Sequence, residues 1–341
     1  MKKITLFSFS ILLLISTLFI NNDYASAVER DNGALKKPSS EYTLGEIQNI
    51  LQGYLKSKGK NYKIDSKEFE EFANDQLLND TDKELANRAD YSLICDFLVS
   101  YLEEKQNFYF ANENNQTKNS FNLNNIKDKT IGQVAKESQE EEEHVEEIAQ
   151  KREEESKNKF TAMGSSYNVS KAKAYAKKWY KGRNKNYANF TGSGGDCTNF
   201  VSQILYAGGK KEKQDRSAEP FWITSTTSYW YSFINHKGIG KAYRVGRAIS
   251  TSWIRVSDFG AYWARTQTVK TYSKVNDVVK NAKPGDVVQF MKKGRSTYYH
   301  TMFVYGKSGG TLYLSGHSDD YLERNIKNVA GVKKYRLIKF K

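Results

Sequence analysis

The sequence predicts an α+β protein, and three observations carry that prediction. Apolar residues recur at helical spacing through the first half of the chain. Alternating runs punctuated by Gly, Pro and Asn take over toward the C-terminus. The charge also changes sign: residues 28–159 hold 19 Lys/Arg against 28 Asp/Glu, a balance of −9, and residues 160–341 hold 32 against 10, a balance of +22. Helices first and an antiparallel sheet after is the α+β pattern, here in two units of opposite charge.

The elements follow in order. Met1-Lys2-Lys3, the apolar run Ile4 to Ile20 and Ala25-Ser26-Ala27 are the three parts of a secretory signal peptide, so residues 1–27 are expected to be removed. No later run is apolar enough to span a bilayer, so the mature protein is expected outside the cell, secreted or wall-associated, with no membrane span. Residues 28–136 read as a mainly helical region. Thr43-Leu44-Gly45-Glu46 is a capping box, followed by Ile47, Ile50, Leu51, Tyr54 and Leu55 on one face. Thr81-Asp82-Lys83-Glu84 is a second box, expected to open a longer helix with Ile94, Phe97, Leu98 and Tyr101. Cys95 lies in that apolar stretch and reads as a buried structural thiol. Asn-rich residues 111–127 read as loop, and the charged run 137–159 as a solvated linker helix between domains.

Residues 160–341 form the second unit. Val169, Ala172, Ala176, Trp179 and Tyr180 give a helix ending at Gly182. Another follows Asp196, with Cys197, Phe200, Val201, Ile204 and Leu205 on one stripe and Gly208-Gly209 as its stop. Strands are expected over Asp286 to Met291, His300 to Tyr305, Thr311 to His317 and Tyr335 to Phe340.

The chemistry concentrates at Gly192-Ser193-Gly194-Gly195-Asp196-Cys197-Thr198. Glycines let a substrate approach the backbone. A cysteine in the first turn of a helix meets unpaired N–H groups and the positive end of the dipole, which favour a thiolate and can hold an oxyanion. Asp196 fits a helix N-cap and equally a grip on a substrate amine; Thr198 has the same two readings. A cysteine nucleophile needs a base with an orienting partner. His144 falls in the charged run and His236 in a loop, which leaves His300 and His317. With Ser308-Gly309 at the hairpin turn, His300 faces His317; with Gly309-Gly310 there, it faces Asp319. Four His and two Cys without clustering give no metal site, and no cofactor is implied.

Gly-Gly-Asp-Cys-Thr-Asn-Phe-Val-Ser-Gln at 194–203, Pro284-Gly285-Asp286-Val287-Val288-Gln289-Phe290, Tyr299-His300-Thr301-Met302 and His317-Ser318-Asp319-Asp320 together resemble the bacterial putative amidase domain family, a branch of the papain-like NlpC and CHAP superfamily. The resemblance spans about residues 165–335. It implies a papain-like catalytic domain, with Cys197 as nucleophile, His300 as base and His317 as third member. It also implies peptidoglycan amides as substrate. The expected function is therefore a secreted cysteine amidase or peptidase whose partner is peptidoglycan or another anionic wall polymer. Its rivals are an acyltransferase or peptidase acting on protein and a non-catalytic wall binder. Nucleic acid is not expected, since no recognised binding module is present.

Overall fold

The computed structural model describes residues 32–115, 121–157, 167–239, 242–292 and 297–340. The expected signal peptide lies outside the described residues. The chain is α+β, with a helical N-terminal region and a six-stranded antiparallel sheet.

The capping box forms as the sequence dictates. The Thr43 hydroxyl accepts from the Glu46 N–H and the Glu46 carboxylate accepts from the Thr43 N–H, at 3.2 and 2.8 Å. It opens helix α1, Leu44–Ser57, which buries Ile47, Leu51, Tyr54 and Leu55. Helix α2, Lys67–Asn79, begins behind a Ser66 cap. At the second expected box the cap is Asp82, and the helix it starts lasts one turn, Lys83–Ala86. The long helix begins afresh as α3, Tyr91–Asn115. These helices close a core of their own around Phe69, Leu93, Phe97 and Tyr101.

The charged run belongs to helix α4, Ile131–Lys157, which starts before residue 137. Thr130 and Gln133 cap it reciprocally. The sequence predicts a solvated run, yet one stripe is apolar and packed. Ile131 and Val134 join the N-terminal core, while Val145 packs on Ala261 and Ala264. Glu142 on the same helix pairs with Arg336 of the sheet.

Helix α5, Val169–Trp179, and helix α6, Cys197–Ala207, follow. A small sheet comes next. In it β1, Ile223–Thr224, runs parallel to β3, Ala242–Ser250, and β3 pairs antiparallel with β2, Ser232–Ile239. A turn of helix at Thr251–Ile254 leads into α7, Val256–Ala264. The main sheet holds β4 (Thr268–Tyr272), β5 (Val287–Lys292), β6 (Tyr298–Ser308), β7 (Thr311–Gly316), β8 (Tyr321–Asn325) and β9 (Val332–Lys339), in the order β4-β9-β5-β6-β7-β8. Helix α8, Val275–Asn281, lies between β4 and β5 in sequence.

Side chains alternate across this sheet with period two. Val287, Phe303 and Ile338 meet Phe200 and Val201 of α6 on one face. Val288, Phe290, Met302, Val304 and Leu314 meet Val278 of α8 and Leu78 of α2 on the other.

Gly309 and Gly310 form the β6–β7 turn, with φ of 54° and 68° and Ser308 paired to Thr311. Positive φ at both central residues is the type I′ geometry that suits a tight hairpin. A bulge between Val304 and Gly306 then shifts the pairing, so that Phe303 faces Ser315. Neither register expected from the sequence survives the bulge.

Candidate active site

The loop before α6 is made by glycine. Gly192, Gly194 and Gly195 have φ of 86°, 86° and 113°, which side chains with a Cβ rarely adopt. The loop delivers Cys197 to the first position of α6, 7% exposed, with its Sγ 3.7 Å from the Thr198 hydroxyl. Burial pushes the thiol above its ordinary range, against the pull of hydrogen bonds from the Thr301 backbone and Thr198.

Asp196 stands at the N-cap position, yet its side chain does not cap the helix. Its Oδ1 accepts from the Phe190 N–H at 3.1 Å and the Asn199 amide at 2.7 Å. Its Oδ2 lies 2.6 Å from His317 Nδ1 and 3.4 Å from Arg183 Nε. The carboxylate is 2% exposed, and each of its oxygens already meets two partners. Thr198 is likewise engaged, donating to the Thr301 hydroxyl at 3.0 Å; Thr301 also accepts from Gln289 at 3.1 Å.

His317 stacks on Phe200, with ring centroids 3.7 Å apart. Its Nε2 lies 3.0 Å from the Trp179 carbonyl. Each ring nitrogen therefore faces an oxygen.

His300 stands elsewhere. Thr301 points to α6, so strand alternation turns His300 the other way, with Met302 and the ring of Phe290. A Cβ added at Gly316 would touch both Met302 and His300 Nε2, which puts those two on one face. The Nε2 is buried without a hydrogen-bond partner. Burial and the Arg324 charge lower the His300 pKa to about 3, so the ring is neutral. Among the described residues no hydrogen bond joins His300 to Cys197 or to His317. Asp319 is also turned away: it accepts from Asn79 at 2.8 Å and from Arg324 at 3.0 Å.

Two hollows flank the glycine loop. One, of about 460 Å³, is lined by Glu70, Asp75, Gly192, Asp196, Asp319 and Tyr321, among others. The other, of about 40 Å³, holds Cys197 together with Gln106, Ile254 and Tyr299. Among the described residues no cluster of His, Cys, Asp and Glu is suited to a metal ion.

The model of the family described as "Putative amidase domain" matches residues 166–339, the glycine loop, α6 and the whole main sheet. The chain belongs to that family. It is also 26% identical over 140 residues to "Uncharacterized protein YhbB" of Bacillus subtilis (strain 168), which covers 41% of this chain and 37% of that relative. No solved structure matches the chain. The amidase-domain match leaves out α1 to α4.

Sequence reasoning missed the Asp196–His317 pair. The two residues are 121 positions apart, and no local pattern links them. The parity that separates His300 from Thr301 was in reach, since a strand reading assigns the two to opposite faces.

Proposed function

We propose that this chain is an exported cysteine amidase that hydrolyses an amide bond in peptidoglycan through a Cys197 thiolate. The observation that carries the reading is a lone cysteine opening a helix behind left-handed glycines, inside an amidase-domain match. The Cys197 helix laid on an antiparallel sheet is the arrangement expected of a papain-like hydrolase. In the proposed reaction the thiolate attacks the amide carbonyl, and N–H groups at the start of α6 hold the oxyanion. The C–N bond breaks as a histidine gives its proton to the leaving amine. Water then attacks the thioester, releases the acid and restores the thiol.

Two histidines compete for the proton-transfer role. Family resemblance favours His300; His317 shares the α6 face and is bonded to Asp196, and its Nε2 must leave the Trp179 carbonyl before it can exchange a proton with Cys197. We assign the role to the Asp196–His317 pair. A non-catalytic wall binder is the second reading, favoured by the +22 balance of residues 160–341. Digestion of purified peptidoglycan with the full chain, read by mass spectrometry, separates the two. New free amine and carboxyl ends absent from a Cys197→Ala control support hydrolysis. Wall retention without new ends in any condition that exposes the thiol rejects it.

A further inference from the structure

We propose that the N-terminal helical region is a built-in inhibitor: α3 lies over Cys197 and must lift before a substrate amide can reach the thiol. The proposal rests on Cys197 being the nucleophile.

The contact is intimate at the backbone. A Cβ on Gly194 would stand 2.3 Å from the Leu102 carbonyl oxygen and 2.8 Å from the Gln106 nitrogen, so the main chain of α3 touches the catalytic loop. The Gln106 amide spans the opening, 3.5 Å from the Gly195 carbonyl and 3.4 Å from that of Ile254. Val99, Leu102 and Glu103 complete the wall, and about 40 Å³ remains beside Cys197. Sites that bind even small ligands occupy roughly 300–1,000 Å³, so this space holds solvent and no peptide.

Helix α2 holds the same loop from its other end. The buried Glu70 accepts the Gly192 N–H at 3.1 Å and pairs with Lys105 of α3 at 3.1 Å. The C-terminal end of α2 is then gripped by the sheet. Lys292 donates to the carbonyls of Leu77 and Gln76 at 2.7 and 3.2 Å and pairs with Asp80 at 2.6 Å. Arg324 donates to the Leu78 carbonyl at 2.9 Å and the Asn79 side chain at 2.6 Å. Cations at a helix C-terminus meet the negative end of its dipole. The inhibitory segment is therefore fixed at the loop and latched by cations of the sheet it covers.

Alkylation of the full chain by iodoacetamide, with peptide mapping to separate Cys197 from Cys95, tests this directly. Cys197 should react at least about tenfold more slowly than a free thiol, because reaction waits on local opening. Gln106→Ala and Asn79→Ala each remove a contact of the latch. Each should speed Cys197 alkylation about fivefold, the effect of one buried hydrogen bond on an opening equilibrium. A Cys197 in the unaltered chain that reacts like a free thiol overturns the proposal, whatever the variants do. So does an unchanged rate in both variants when their thermal transitions match the parent. Alkylation reads access and not turnover: faster alkylation with no cleavage of peptidoglycan would keep the latch and discard the amidase.

Discussion

At the residue scale, the two cysteines are distinguished by surroundings and not by exposure, since both are buried and free. Burial pushes the Cys95 thiol up to about 12, inside the apolar core of the helical region. Cys197 faces a helix start and the Thr301 backbone. Cys197→Ala should abolish amide hydrolysis and Cys95→Ala should retain it, measured as amine released from peptidoglycan; equal losses in two folded variants would reject Cys197. For the histidines, His317→Ala and Asp196→Asn should each lower turnover about 10²-fold or more, as loss of a proton-transfer group does. His300→Leu should cost far less, and the reverse order would return the role to His300.

His300 also carries a stability signature. Its pKa is lowered from 6.5 to about 3 in the fold, so protonation favours the unfolded chain. The stability it preserves is present above the unfolded value and is lost as pH falls toward the folded one. Over that window the slope approaches about 1.4 kcal/mol per pH unit. Denaturant midpoints of the parent chain should therefore fall with acid more steeply than those of His300→Leu. Parallel curves would remove the buried neutral ring from the account.

At the scale of elements, legibility followed local signals. The Thr43 box and the stripe of α1 were readable because cap and periodicity both sit in consecutive residues. So were α6, with its glycine stop, and the strands β5, β6 and β7, whose alternation follows sequence. Helix α2 was missed, since its Ser66 cap lacks the Glu three residues on that completes a box. The small sheet of β1, β2 and β3 was missed too. Its inner residues Phe233 and Ala248 face a local cluster, while Ile234 and Val245 are exposed, which blurs the alternation. The bulge in β6 has no sequence mark, and it decided where His317 goes.

The contact between α2 and the sheet also contains a repulsive pair. Asp75 faces Asp319; burial, then the Asp319 charge, raises Asp75 to about 6, with Glu71 adding to the rise and Arg324 opposing it. A raised carboxyl pKa contributes stability at acid pH that is lost as pH rises through the folded value. Closure of the helical region should thus weaken between about pH 4 and 6, the span from the ordinary carboxyl value to the raised one. Cys197 alkylation, corrected for the reagent's own pH dependence with a model thiol, should rise over that range in the parent. It should rise less in Asp75→Asn, and identical profiles would deny the pair this part.

At the scale of the whole molecule, charge separates what the cores join. The region before residue 160 is acidic and the rest basic, and α4 contributes to both cores. Attraction between the two halves would compete with attraction of the basic half to the anionic wall polymer proposed as its partner. Retention of the full chain on purified wall should decline as salt rises toward about 1 M, where the Debye length falls to about 3 Å. Retention indifferent to salt would rule out exposed charge as the source.

The grip on α2 has one more implication. Lys292 and Arg324 hold carbonyl oxygens of Gln76, Leu77 and Leu78, groups that every amino acid supplies. What the sheet recognises there is in part a shape, the blunt end of a helix, as well as the side chains of Asn79 and Asp80. The carbonyl contacts do not depend on which side chains stand there, whereas those to Asn79 and Asp80 do. The latch therefore tolerates change at the positions it holds by backbone alone and not at the two it holds by side chain.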